Sequence, residues 1–281
     1  MIKIMSKVSY KLNSWMFCPS DKAKLIEKSL EVSPSVVIYD LEDGIEYGKE
    51  DIALENLKSY WNQIKEKDFK KALRVSKESY ESSLFFLFKN GLDFDFIIFP
   101  KFEDKAELWT LKDILAKYNS KAKLVLMLES KKAIKDLNNL IALLKPEDKF
   151  FGFMIGKADL ASDYNVEIYS ELIESISLKV IQKCLENDFN YIEAPTFELN
   201  SEFALIANLN YLKRNGVYCK AIITPKQIAE VNSTLEISSE QIMQAREIIS
   251  LSKEGAARYN GKMVDEAMAK KARKLLEALG E

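Results

Sequence analysis

Histidine does not occur once among the 281 residues. Its absence excludes Ser-His-Asp and Cys-His nucleophilic machinery, histidine general bases and histidine metal sites together. Chemistry must then rest on carboxylates, Lys, Arg, Tyr and metals that prefer oxygen. Glycine is scarce at nine residues, and no G-x-G-x-x-G or G-x-x-x-x-G-K-S/T string occurs, so the standard nucleotide-phosphate loops are excluded. Cysteine is limited to Cys18, Cys184 and Cys219, far apart and without a C-x-x-C pair. Neither a disulfide framework nor a zinc cage is expected from that pattern. No apolar run approaches the roughly eighteen residues of a membrane span, and the N-terminus lacks a signal-peptide core. No membrane association is expected, and a cytoplasmic location is. The formal charge of −2 gives no basic excess for a nucleic-acid partner.

What is present is an ordinary globular balance, 47% apolar and 30% charged. Short apolar runs rich in β-branched and aromatic residues alternate with longer stretches of helical period. The strand-like runs are WMFCPS from Trp15, VVIYDLED from Val36, LRVS around Arg74 and FIIFPKFE from Phe96. LVLMLES around Val125, FFGFMIGKADL from Phe151, YIEAPTF from Tyr191 and VYCKAIITP from Val217 follow. Between them, Leu108, Leu111, Leu115 and Tyr118, or Leu137, Leu140, Ile141 and Leu144, repeat at the i, i+3, i+4 spacing of one buried helical face. Strict alternation implies a parallel sheet, and eight such units are the number at which that sheet closes into a (β/α)8 TIM barrel. Barrels of this kind reach this length as one domain.

An open, doubly wound sheet would alternate in the same way. The barrel is favoured because polar residues gather at the C-terminal ends of the runs: Asp40, Glu42 and Asp43, then Arg74, Lys101, Glu129 and Asp159. In a barrel these ends converge on one mouth, whereas in an open sheet they spread along an edge. The barrel is expected to occupy residues 1–232 and a helical extension residues 233–281. In that extension Ser238 and Gln241 fit a capping box, and a second helix is expected to begin near Asp265. The apolar positions Ile242, Ile248, Ile249, Met268, Leu275 and Leu279 would pack on the outside of the barrel or on another subunit.

WMFCPSDKAKLIEKSL, YDLEDG, LRVS, FPKFED, LMLESKKA, GKADL, ITPKQI and GKMVD occur in an order and spacing that resemble the citrate lyase beta-subunit-like family. That family belongs to a magnesium-dependent aldolase superfamily that also holds malyl-CoA lyases and pyruvate aldolases. The resemblance implies a barrel of the phosphoenolpyruvate/pyruvate-binding type, a homotrimer or homohexamer, and cleavage or formation of a CoA thioester such as citryl-CoA or malyl-CoA. It implies Mg2+, with Mn2+ as the alternative, held by Glu129 and Asp159, and metal waters held by Glu42 and Asp43. Arg74 is implied to bind the 2-oxo acid's carboxylate. Asp265 is implied to enter a neighbouring subunit's site as the acid/base group.

Elementary chemistry agrees with such a set. Magnesium takes oxygen ligands in octahedral geometry and keeps several waters, so two carboxylates plus a chelating substrate suffice. The metal polarises the oxo-acid carbonyl, and a guanidinium fork suits the neighbouring carboxylate. Each residue also has a plainer reading. Glu129 is compatible with a local ion pair, Asp43 with a turn ahead of Gly44, Arg74 with a structural pairing and Asp265 with an N-cap. Asp40 belongs either to the acid cluster that meets substrate or to the barrel wall. Lys101 suits a Schiff-base nucleophile, substrate binding, or an electrostatic partner for the acids.

The sequence departs from the family pattern at three places. Asn13 replaces an arginine expected to meet CoA or substrate phosphates, Ala133 replaces a glycine, and Thr224 stands where a histidine is customary. These leave three functional classes open: a magnesium-dependent lyase, synthase or thioesterase of a CoA thioester, a CoA-independent metal aldolase, and a barrel retained for binding or assembly.

Overall fold

A computed structural model describes residues 9–144, 149–199, 201–252 and 255–280. The eight apolar runs form β1 (Ser14–Pro19), β2 (Val36–Asp40), β3 (Lys70–Arg74), β4 (Phe96–Phe99), β5 (Lys123–Leu128), β6 (Phe150–Ile155), β7 (Asn190–Glu193) and β8 (Cys219–Ile222). They pair in sequence order, all parallel, and β1 pairs with β8 to close the barrel. Helices cover the outside. The closed sheet removes both edges, so nothing analogous to a switch-point crevice exists and the strand ends share one mouth.

Side chains alternate across each strand, which divides the core into two layers. Trp15, Val36, Ile38, Ala72, Phe96, Ile98, Val125, Met127 and Ile192 fill the barrel interior. The other phase, including Val37, Tyr39, Leu73, Ile97, Leu126 and Phe153, packs under the helices. A register shift between Leu124 and Val125 on β5 inserts Phe151 of β6 as an extra residue. Gly152 is required beside it, because a Cβ there would lie 2.0 Å from the carbonyl oxygen of Asn190.

The helices follow local rules. Lys105–Lys117 starts at a capping box, in which Asp104 accepts from Ala106 and Glu107 accepts from the Asp104 backbone, and it buries Leu108, Leu111 and Leu115. Each of those leucines contributes about 1.5–3 kcal/mol by leaving water, and Leu111→Ala would cost roughly 2–5 kcal/mol. Among the described residues, no helix is long and apolar enough to cross a membrane.

The boundary expected at 232 falls inside the helix Ile228–Leu235, whose Val231 and Leu235 belong to the main core. The chain leaves the barrel after that helix. The capping box of Ser238 and Gln241 opens the helix Ser239–Leu251, and Asp265 caps the helix Glu266–Leu279. The sequence reading placed the apolar faces of these helices on the barrel or on another subunit. Within the chain these helices pack against each other: Ala245, Ala272 and Leu276 are buried between them, flanked by Ile242, Ile248, Ile249 and Leu275. Leu279 reaches a cavity at the barrel base with Tyr10, Asn13 and Ile237. A two-stranded hairpin, Ala257–Tyr259 with Lys262–Val264, joins the two helices. Asn260 and Gly261 turn it with positive φ, the Asn-Gly signature of a tight hairpin that the helical reading overlooked.

Candidate active site

The inward phase of the strands brings the polar residues to the mouth. On β2, Val36 and Ile38 point inward and Asp40 follows them. On β3 Ala72 leads to Arg74, and on β5 Val125 and Met127 lead to Glu129. These three side chains line a cavity of about 350 Å3 with Asp43, Gly156, Asp159, Ala194 and Ile223. Met127 and Met154 form apolar lining, and Phe17, Pro19, Pro195 and Phe197 also border the cavity.

Arg74 and Asp40 meet edge to edge. Nε donates to Oδ1 at 2.7 Å and Nη2 to Oδ2 at 2.6 Å. Asp40 also accepts from the backbone N–H of Glu42 at 3.0 Å and of Gly44 at 2.9 Å. A Cβ on residue 44 would lie 2.1 Å from Oδ2, so glycine is what lets this loop wrap the carboxylate. Asp40 is 1% exposed and both its oxygens are engaged. The guanidinium stacks 4.8 Å from the centre of the Phe17 ring, and its Nη1 lies 2.9 Å from Oε2 of Glu42.

Lys101 joins two acids. Its φ of 47° turns its N–H onto Oε2 of Glu129 at 2.6 Å, while Nζ lies 2.8 Å from Glu42 and 3.8 Å from Asp43. Burial works against the Lys101 charge, but the bond to Glu42 and the surrounding carboxylates outweigh it and raise its pKa. Glu42 is held between two cations, with Lys101 on Oε1 and Arg74 on Oε2, and both its oxygens are buried. Burial raises its pKa, with Arg74 and Lys101 opposing. Glu129 is 3% exposed, and burial together with the charges of Glu42 and Asp159 pushes its carboxyl up to about 8. It fits only because residue 156 is glycine, where a Cβ would lie 2.5 Å from Oε1.

Asp159 stands in the first turn of the helix Lys157–Tyr164, and among the described residues it makes no hydrogen bond or ion pair. Asp43 is exposed beside Lys101. Asp265 is not brought into its own chain's cavity; its carboxylate accepts from the Met268 N–H at 3.1 Å. Among the described residues, no three Asp, Glu or Cys side chains converge to enclose a metal by themselves.

Two departures from the family pattern change meaning in three dimensions. Asn13 precedes β1 and therefore lies at the N-terminal base, opposite the cavity, where its side chain donates to Tyr218 O at 2.9 Å. It has no bearing on ligands at the mouth. Ala133 is 1% exposed in the short helix Lys131–Lys135 and does not line the cavity.

The sequence reading missed a buried ionic group beside the site. Lys157 lies 3.0 Å from Glu193 and 2.8 Å from Glu174, and Glu193 accepts from Tyr191 Oη and the Ala194 N–H, both at 3.1 Å. Lys220 is 1% exposed and donates to Ala194 O at 2.8 Å, with burial lowering its pKa to about 8. The available signal was a lone charge inside an apolar strand run, in YIEA and CKAI.

The pattern that defines the C-C bond lyases of the TIM-barrel fold matches residues 6–277. The chain belongs to that family. The lyase is 21% identical to the citrate lyase subunit beta of Haemophilus influenzae, over 94% of this chain and 95% of that one. Its fold is similar to that of a citrate lyase from Burkholderia xenovorans LB400, with a TM-score of 0.82, 16% identity, and 96% and 93% of the two chains covered. It is also similar to the protein CitE of Mycobacterium tuberculosis, solved with magnesium, acetoacetate and coenzyme A, with a TM-score of 0.73, 20% identity, and 96% and 98% covered. The citrate lyase beta-subunit-like resemblance and the barrel both stand.

Proposed function

We propose that the lyase uses magnesium, held by Glu129 and Asp159, to cleave or form the carbon–carbon bond between a 2-oxo acid and the acyl group of a CoA thioester. The observation that carries this reading is the placement of Glu129, desolvated against Gly156 at the mouth, with Asp159 on the same cavity and free of partners among the described residues. Such a carboxyl is poised to lose its proton to a cation. The donor set is all oxygen, which suits a hard ion that keeps waters, and Glu42 adds a further buried carboxylate, held by Lys101 and Arg74. The complex of the M. tuberculosis protein with magnesium, acetoacetate and coenzyme A supports the same ligand classes.

When bound, the metal would polarise the oxo-acid carbonyl and stabilise negative charge that develops as the adjacent bond breaks. The protein's own groups do the rest. Asp40 takes the Nε/Nη2 edge of Arg74 and Glu42 meets Nη1, so the substrate carboxylate is left the one remaining N–H on each of Nη1 and Nη2, with the guanidinium plane fixed against Phe17. Asp40 is therefore read as a positioning group for Arg74, and Lys101 as a cation that, with Arg74, opposes the effect of burial on Glu42. Glu42 and Asp43 hold the metal waters. Met127, Met154 and Phe197 exclude bulk water and so strengthen each charge interaction.

Proton transfer to the reacting carbon is assigned to Asp265 of a second copy in a homotrimer or homohexamer. Exposed Phe197, Leu199 and Phe203 follow β7 on the mouth side, and exposed Met263 and Met268 flank Asp265 on the extension. Those surfaces are suited to cover one another. The test is incubation of citryl-CoA or malyl-CoA with the lyase and magnesium, reading release of oxaloacetate or glyoxylate. Release that vanishes in Glu129→Gln is expected. Turnover of the free hydroxy acid with no dependence on CoA would overturn the thioester assignment.

A further inference from the structure

The ion pair between Lys157 and Glu193 lies outside the proposed chemistry, yet it is buried more deeply than Asp159. Lys157 is 5% exposed and Glu193 2%. Two charges so desolvated are weak contributors to stability compared with an apolar pair of the same volume, and the best-attested use of such pairs is to fix a register. Here the register in question is that of one helical turn. Gly156 is bound to β5 through its N–H to Leu128 O at 3.1 Å, and the helix Lys157–Tyr164 starts immediately after it. The second turn of that helix is held by Asp163, which accepts from the Lys131 N–H at 2.6 Å. The first turn carries Asp159, whose side chain touches no polar partner among the described residues. Lys157 is what fastens that turn to β7, through Glu193, and to the helix Glu171–Glu186, through Glu174. Glu193 cannot swing with it, because Tyr191 and Ala194 already hold both its oxygens.

We infer that Lys157 and Glu193 are a positioning pair that sets Asp159 against Glu129 for the metal, in a role that rests on the metal reading above. An apolar substitute would fill the same volume without dictating where along β7 the turn is pinned.

The test compares magnesium affinity with thermal stability in four variants. Lys157→Met/Glu193→Gln removes both charges of the pair, so neither member is stranded by loss of the other; Glu174, which also loses Lys157, is 38% exposed, and Lys220 keeps its bond to Ala194 O. It is expected to keep the melting temperature of the parent and to bind magnesium about 10- to 100-fold more weakly, the range for groups that orient a metal ligand. Lys157→Arg restores a cation able to reach Glu193 and is expected to recover most of the affinity. Asp159→Asn is the control for the metal reading, and Asp163→Ala tests whether loosening the helix elsewhere has the same effect. If Asp159→Asn weakens magnesium binding and the double variant does not, the positioning role is overturned while the metal site stands. If Asp159→Asn itself binds like the parent, the metal reading fails and takes the inference with it. If the double variant loses affinity only in proportion to its melting temperature, as Asp163→Ala does, the pair is structural and the inference is wrong.

Discussion

The backbone N–H of Lys101 donates to Oε2 of Glu129 across 2.6 Å, from a residue whose φ of 47° lies in the left-handed region. Such a conformation costs a non-glycine residue about 1–2 kcal/mol, and it aims the ammonium at Glu42 while the amide meets Glu129. One residue thereby orders two acids that come from different strands.

Gly156 closes Glu129 from the other side. Gly156→Ala would place a Cβ 2.5 Å from Cγ and Oε1 of Glu129. The carboxylate must move, and overpacking of this kind costs roughly 1–3 kcal/mol. Magnesium affinity measured by calorimetry is expected to fall at least about tenfold, with a smaller loss of urea stability. Parent affinity in Gly156→Ala would remove Glu129 from the metal site.

Arg74→Lys tests the guanidinium fork. An ammonium cannot serve both Asp40 oxygens and a substrate carboxylate at once, so oxo-acid binding is expected to weaken by roughly 1–3 kcal/mol. Arg74→Met strands the Asp40 charge and is expected to destabilise the fold by about 3–5 kcal/mol. Adding Asp40→Asn should recover much of that stability and none of the binding. Unchanged oxo-acid affinity in Arg74→Lys would leave the arginine a purely structural role.

Glu129 supplies a pH dependence with a definite sign. Its folded pKa, about 8, lies above the ordinary carboxyl value, so the folded state holds the proton more tightly than the unfolded chain. The associated stability is fully present below the unfolded pKa of about 4.3 and is lost as pH rises through 8. The metal-free protein should therefore lose melting temperature between pH 5 and pH 8, by more than Glu129→Gln does. Magnesium requires the ionised form, so its binding near pH 7 should release protons, which calorimetry in two buffers of different ionisation enthalpy detects. Binding that releases none would place the ion elsewhere.

Asp265 caps a helix in its own chain, and the acid/base role proposed for it requires a second copy. Glu129→Gln and Asp265→Asn subunits, each inactive alone, are expected to regain activity when mixed and allowed to exchange, because hybrid oligomers contain sites with neither change. Sedimentation as a monomer, or exchange without recovery, would leave Asp265 a helix cap and nothing more.

The sequence by itself determined what depends on neighbours along the chain. The continuous apolar runs VVIYD and LVLML marked buried strands, with Asp40 and Glu129 at their C-terminal ends. The spacing of Leu108, Leu111 and Leu115 marked a helix, and Ser238 with Gln241 marked the start of another. Eight such units in alternation, with polar residues gathered at the C-terminal ends of the runs, favoured a closed barrel over an open sheet. Only the tertiary structure decided the partners, because pairing between charges depends on strand neighbours and register that no local pattern encodes. It gave the Arg74 fork to Asp40, joined Lys101 to Glu129 through a backbone turn, buried Lys157 against Glu193, and folded the two C-terminal helices onto each other. It also placed Asn13, one residue ahead of β1, at the base, because parallel strands put what precedes them on the face away from the mouth.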